Sequence, residues 1–193
     1  MEKQKAVILI GITGPIAGGK GTVAEILSKK GFATSPLSDR IREEITKTQG
    51  EITREKLLET GNRLRSQFGP QILAQRTYEK FMDDGIEKMV IESIRAVPEV
   101  EYLKSKGAVV IGVTAPRELR FKRASERNRE GEPLTWEKFI EMDDKDHFSG
   151  DFVKGTNIRG CLELADYLIE NTGTPEDLEK EVEKILKCIL GKR

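Results

Sequence analysis

The chain has 193 residues, enough for one domain with its own core and short inserted pieces. Lys+Arg and Asp+Glu both number 33, so bulk charge gives no ground for nucleic-acid or membrane binding, and any anion site must come from local placement. Two cysteines without ligand spacing and the single His147 exclude a disulfide framework and a histidine-rich metal centre. The sequence shows no signal peptide and no membrane-length apolar run, so a cytoplasmic protein is expected.

In chain order, residues 6–12 are almost purely aliphatic and predict a central strand buried on both faces. Residues 22–30 carry Val23, Ile26 and Leu27 at helical spacing and end in Lys29, Lys30 and Gly31, which are helix-stop signals. A weaker strand follows at 32–35. Residues 38–82 read as a long helical insertion. Strands are expected at 89–91, 108–113 and 166–169, with a helix over 97–106 that has Pro98 in its first turn. Residues 117–148 form a second polar, helix-rich excursion. Thr174 predicts the N-cap of a final helix, with Asp177 three residues on and Leu178, Val182, Ile185, Leu186, Ile189 and Leu190 as its apolar stripe. Strand alternating with helix predicts a parallel sheet covered on both faces.

The most specific motif is Gly14-Pro15-Ile16-Ala17-Gly18-Gly19-Lys20-Gly21-Thr22, set between the first strand and the first helix. Glycines let backbone N–H groups converge on an anion, the helix start adds its positive end, and Lys20 can reach the β- and γ-phosphates. Gly21 stands where Ser or Thr is usual, and Thr22 follows.

Arg117, Arg120, Arg123 and Arg127 fall on one helix face, with Arg129 just beyond, and residues 117–129 carry a local charge of +4. Such a stripe suits a transition state that spreads negative charge over phosphoryl oxygens. The plainer alternative, a basic face paired with acids such as Glu126 and Glu130, weighs most for Arg117 and Arg120. His147 and Trp136 read as surface and packing residues.

The Gly-Lys-Gly-Thr ending of the loop resembles the adenylate kinase subgroup. The chain from Ile10 to Leu186 is similar to nucleoside-monophosphate kinases and dephospho-CoA kinases. It resembles still more closely an archaeal group of dephospho-CoA-kinase-related nucleotide kinases, and also the kinase-like domain joined to deoxycytidylate-deaminase-type proteins. The resemblance implies a three-layer α/β/α phosphate-loop fold with a five-stranded parallel sheet. It implies a core at 1–37, 86–116 and 149–193, an acceptor-binding insertion at 38–85 and a lid at 117–148. ATP and Mg²⁺ are the expected cofactors and a small phosphate acceptor the expected partner.

Site residues follow from the same resemblance. Gly14, Ala17, Gly18, Gly19, Lys20, Gly21 and Thr22 would hold ATP phosphates, with Asn171 and Gly173 near the adenine. Thr22 and Glu92, the latter closing the run Met89-Val90-Ile91, would position Mg²⁺ through water. The family Asp-x-x-Arg pattern falls on Asp39 and Arg42. With Asn62, Arg65 and Arg95 these are the acceptor residues, and Asp39 is the candidate base for a hydroxyl acceptor. Glu92 replaces the usual Asp, and Arg95 is one residue nearer to it than in adenylate kinase. Arg123, Arg127 and Arg129 fit the lid pattern. Two acceptors stay open, a nucleoside monophosphate and dephospho-CoA, as does a nucleotide sensor with little turnover. Oligomeric state is left open.

Overall fold

The computed structural model describes residues 7–48, 50–127, 134–147 and 156–191. Strand β1 (Ile8–Thr13) is buried at every position. It lies at the centre of a five-stranded parallel sheet, in the order β2-β3-β1-β4-β5, with β2 Ala33–Pro36, β3 Lys88–Ile94, β4 Val109–Thr114 and β5 Tyr167–Glu170. A strand covered on both faces has no polar side to present, which is why its sequence does not alternate.

Alternate β1 residues feed two cores. Ile8, Ile10 and Ile12 pack with helices α1 (Lys20–Lys29) and α9 (Pro175–Gly191). Leu9 packs on the other face with α5 (Val97–Ser105) and with the helices of the insertion. Gly11 points to that second face, where a Cβ would stand 2.9 Å from Ile94 Cδ1, so the layer closes only over glycine. Each fully buried Ile or Leu contributes about 1.5–3 kcal/mol.

The insertion expected at 38–82 is three helices, α2 (Ser38–Lys47), α3 (Arg54–Phe68) and α4 (Ile72–Asp83). Ile41, Ile45, Leu64, Ile72 and Leu73 join the same apolar cluster as Leu9, Met89 and Ile91, so the insertion shares the sheet's core. The excursion at 117–148 contributes α6 (Arg117–Arg127) and α7 (Trp136–His147), joined by an aromatic cluster in which Trp136 stacks on Phe139 and meets Phe121 edge-on. Trp136 therefore packs, as read from sequence. A short helix α8 (Ile158–Glu163) precedes β5.

The start of α9 is as expected. Asp177 N–H donates to Thr174 Oγ1 at 3.2 Å and Thr174 N–H donates to Asp177 Oδ2 at 3.1 Å. Its stripe is buried except for Leu190, which is 46% exposed and stands off the core. No helix among the described residues is long and apolar enough to cross a membrane.

Candidate active site at the phosphate loop

The chain leaves β1 between β3 and β4, whose connections run to different sides. This is the crevice where open parallel sheets bind ligands. The turn that follows is built on left-handed backbone, with φ 145° at Gly14, 56° at Ala17 and 112° at Gly19. A Cβ on Gly14 would stand 2.0 Å from Val113 O, one on Gly18 2.8 Å from the same oxygen, and one on Gly19 2.2 Å from Asn171 Nδ2. β4 and the loop after β5 thus press the turn into a cradle that only glycine fits. Helix α1 starts at Lys20, so its first N–H groups face the cradle without intrahelical acceptors. Gly21 meets nothing within 4 Å of an added Cβ. Its lack of a side chain serves no packing need and leaves open space at the helix start.

Lys20 folds back over the cradle, donating to Gly14 O and Pro15 O at 2.8 Å each. Desolvation, helped by the charges of Arg95 and Arg120 and opposed by those of Asp146 and Glu92, lowers its pKa to about 8. Three cations therefore converge on the loop, and an arriving phosphate would restore the proton affinity of Lys20.

Glu92 lies opposite, near the end of β3. Pairing with β1 slips here: Gly11 faces Ile91 but Thr13 faces Ile94, and Ser93 takes φ 63°. A bulge with a strained non-glycine residue at a strand end re-aims its neighbour. Burial raises the Glu92 pKa against the pull of Lys20, and Asp39 and Glu25 add to the rise. A carboxylate in that state gains from a cation as it gains from a proton. Among the described residues, no three acidic, histidine or cysteine side chains converge to hold a metal alone. The half-buried Thr22 and Glu92 are oxygen donors of the kind Mg²⁺ takes, and such an ion draws its other ligands from phosphate and water.

The arginine stripe divides. Arg120 is buried, pairs bidentately with the fully buried Asp143 of α7, and donates to Ala115 O and to Ile16 O of the loop. Arg117 bridges Asp143 and Asp144. These two are paired, as the plainer reading has it, but with acids of the next helix rather than Glu126. Burial works against the Asp143 carboxylate, yet its bonds to Arg120 and the charges of Arg120, His147 and Arg117 hold its pKa below the ordinary value. His147 Nδ1 lies 2.9 Å from Asp143 O. Arg123 donates one amino group to Asn171 O at 3.0 Å, while its Nη1 is buried without a hydrogen-bond partner. Arg127 is exposed, and Arg129 lies outside the described residues. Asn171 also donates to Gly18 O at 3.1 Å, tying the loop after β5 to the cradle. At Gly173 the space is taken by Asp177 Oδ2, 2.9 Å from an added Cβ, so that glycine makes room for the α9 cap.

Among the residues expected to bind an acceptor, Asp39 accepts from Ser35 Oγ at 3.3 Å and is near enough to raise the Glu92 pKa. Asp39 and Arg42 line an open cleft of about 540 Å³ along α2. Arg95 is held by Asp146 of α7 through contacts of 3.0 and 3.1 Å. Arg65 is tied to Glu99 at 3.2 Å. Glu99, fully buried, also accepts the backbone N–H groups of Arg95 and Ala96 and so starts α5. Asn62 is half-buried within α3, and its side chain makes no hydrogen bond among the described residues. The structure thus brings Lys20, Glu92, Asp39 and Arg95 together, while Arg65 supports the start of α5.

Sequence reasoning passes over Asp143, Asp146, Glu99 and Arg40. The signal for the first two is the run Asp143-Asp144-Lys145-Asp146, which places acids one helix away from an arginine stripe needing partners. Glu99 stands at the third position of a helix opened by Pro98, a capping position.

A family model described as an AAA domain matches residues 10–145. UPF0200 proteins of Thermococcus kodakarensis and Pyrococcus horikoshii are each 31% identical to the chain, over 96% of it and 100% and 97% of their own lengths. Among solved structures, a Thermus thermophilus protein superposes with a TM-score of 0.62 at 24% identity, covering 97% of this chain and 98% of that one. Shikimate kinase of Acinetobacter baumannii gives 0.59 at 20%, covering 98% and 96%. Dephospho-CoA kinase of Campylobacter jejuni gives 0.51 at 22%, covering 94% and 96%. At these identities the likeness is one of fold. With such relatives along nearly its whole length, the chain belongs to the UPF0200 family and has the fold of phosphate-loop kinases.

Proposed function

We propose that the protein is an ATP-dependent kinase of the nucleoside-monophosphate type, moving the γ-phosphate of ATP onto a small acceptor. The observation that carries this reading is the cradle of Gly14, Gly18 and Gly19 closed by a desolvated Lys20, with Glu92 opposite. Lys20 and the loop backbone hold the β- and γ-phosphates. Mg²⁺ supplies neutralisation of the phosphate oxygens, and Thr22 and Glu92 orient it through water. Arg123 presents an unpartnered, buried Nη1 beside the loop and is the first of the lid arginines to reach the transferring group, with Arg127 and Arg129. Asp39, Arg42 and Arg95 receive the acceptor, with Asn62 further along the insertion. Exclusion of water by α6 and α7 suppresses hydrolysis of ATP.

One observation favours a hydroxyl acceptor such as that of dephospho-CoA. Asp39 stands close to Glu92, where it could take a proton. Another favours a slow-turnover nucleotide sensor, since Asp146 pairs with Arg95 and competes for it with an acceptor phosphate.

The deciding experiment is ADP release from Mg·ATP over ribo- and deoxynucleoside monophosphates and dephospho-CoA, with Lys20→Ala as control. Release with one acceptor, lost in the control, is the expected result and names the substrate. ATP-dependent stabilisation without acceptor-dependent release would refute the kinase and leave the sensor.

A further inference from the structure

Glu99 is fully buried, and its two carboxylate oxygens face different parts of the chain. Oε2 accepts the backbone N–H groups of Arg95 at 3.0 Å and Ala96 at 3.2 Å. Oε1 faces the guanidinium of Arg65 in α3, whose Nη2 lies at 3.2 Å. Starting α5 needs only the first oxygen. A glutamine would supply it without charge, as capping boxes of either residue type do. The second oxygen is buried as half of an ion pair, and desolvation of such a pair opposes its attraction. What the pair adds to the helix start is a charged tie between the insertion and the backbone of Arg95.

Helix α3 is shaped to that tie. The Arg65 side chain is 15% exposed. One turn earlier stands Gly61, in a helix interior where glycine is unfavourable. A Cβ there would stand 3.0 Å from Ile41 Cδ1 and 3.3 Å from Arg65 Nη1. The missing side chain makes room for the guanidinium beside Ile41 of α2.

The segment held by Glu99 is also the strained one, with φ 63° at Ser93. Its backbone is bonded from four directions. Leu37 N–H donates to Glu92 O at 3.1 Å, Thr13 Oγ1 to Ile94 O at 2.9 Å, Asn157 N–H to Arg95 O at 2.7 Å, and Arg95 N–H to Glu99. Uncommon backbone persists where its surroundings over-determine it in this way. Thr13 ends β1, immediately before the phosphate loop, so segment and loop share an anchor. The segment carries Glu92 at one end and Arg95 at the other. After desolvation, the charge of Arg95 is the largest influence on Lys20.

We propose that Arg65 and Glu99 are positioning residues: they act on the phosphate site through the backbone of Arg95 and tie its guanidinium to α3 of the insertion. The inference rests on the reading of Arg95 as a residue of that site and deepens it, because Arg65 then serves the site without touching a ligand.

The test is a double-mutant cycle read by calorimetric binding of inorganic pyrophosphate without Mg²⁺. Glu99→Gln keeps an oxygen for the two N–H groups and turns an amide toward Arg65. It should weaken pyrophosphate binding by about three-fold or more. Arg95→Met should weaken binding as well, and in that background Glu99→Gln should have no further effect. Arg65→Met should match Glu99→Gln, while Arg65→Lys, which keeps the cation, should lose less. Ile189→Ala truncates a buried residue of α9 and should lower the melting temperature with pyrophosphate affinity unchanged, which separates lost stability from lost positioning. Should Glu99→Gln fail to fold, Arg65→Lys takes its place in the cycle. Four results would each overturn the proposal: no pyrophosphate binding by the wild type, unchanged binding in Glu99→Gln, unchanged binding in Arg95→Met, or an equal loss from Glu99→Gln with and without Arg95. The kinase reading is judged separately, by acceptor-dependent ADP release from the wild type. Release with a failed cycle leaves the kinase and removes the positioning pair. A cycle that closes through Arg95 without any release does the reverse.

Discussion

Lys20 holds an ammonium where water is scarce, and that has a measurable consequence in the protein without nucleotide. Its pKa falls from 10.5 to about 8. Converted directly, this is roughly 3 kcal/mol of differential stability between its two protonation states. Lys20 keeps part of its surface in solvent, and screening reduces the figure to about 1–2 kcal/mol. The sign follows from linkage. Between pH 8 and 10.5 the unfolded chain binds more protons at this site than the folded one, so folding is favoured as pH rises. Below pH 8 the full penalty applies. In Lys20→Met the penalty is gone, along with two hydrogen bonds of about 1 kcal/mol each. At pH 7 these changes nearly cancel. The slope carries the test: from pH 7 to 10 the wild type should gain about 1–2 kcal/mol on the variant, or about 3–6 °C in melting temperature. Parallel thermal melts of the two proteins measure the difference. A difference that stays flat across this range would refute a desolvated Lys20, and with it the account of why the loop attracts phosphate.

Breaking the buried pair by Asp143→Asn leaves Arg120 and Arg117 short of a partner and should cost about 3–5 kcal/mol, read as a fall of about 10 °C in a melt. Among the loop glycines, Gly14→Ala collides with Val113 O and should prevent a cooperative fold. Gly21→Ala meets open space and should raise stability by up to about 1 kcal/mol while weakening ATP binding in a calorimeter. Asp146→Asn releases Arg95 from an ion pair that is 43% exposed on the arginine side, so pyrophosphate should bind about two- to five-fold more tightly. Weaker binding would instead make Asp146 a residue that positions Arg95.

The sheet and its loop were legible because they rest on local rules. An aliphatic run buried on both sides, a glycine turn and a helix with three apolar residues on one face need no partner to be read. The two cores on which they depend are another matter. Ile41 and Leu64 look like the apolar faces of separate helices, and only the fold brings them against Leu9 and Met89. The site divides in the same way. Lys20 and Glu92 are set by strand ends. What the arginines do depends on which acid lies across from them, and Asp143 and Asp146 meet Arg120 and Arg95 through contacts that no spacing rule reaches. The charge of Arg65 on its helix face is legible, but not that Glu99 lies beneath it.

The place of β1 in the sheet also bears on how the chain comes off the ribosome. The first strand to be made has β3 and β4 as its neighbours, so residues 14–87 must be synthesised before it can begin to pair. At 5–20 residues per second that is roughly 4–15 s during which an aliphatic segment waits without a partner. Helices α2, α3 and α4 form from local contacts within that interval, while the closure of β1 onto β3 pays the entropy of a long loop. The nascent chain is therefore most exposed to aggregation and to chaperone capture before β3 emerges. The same strand that later carries the phosphate loop is the segment a chaperone would hold.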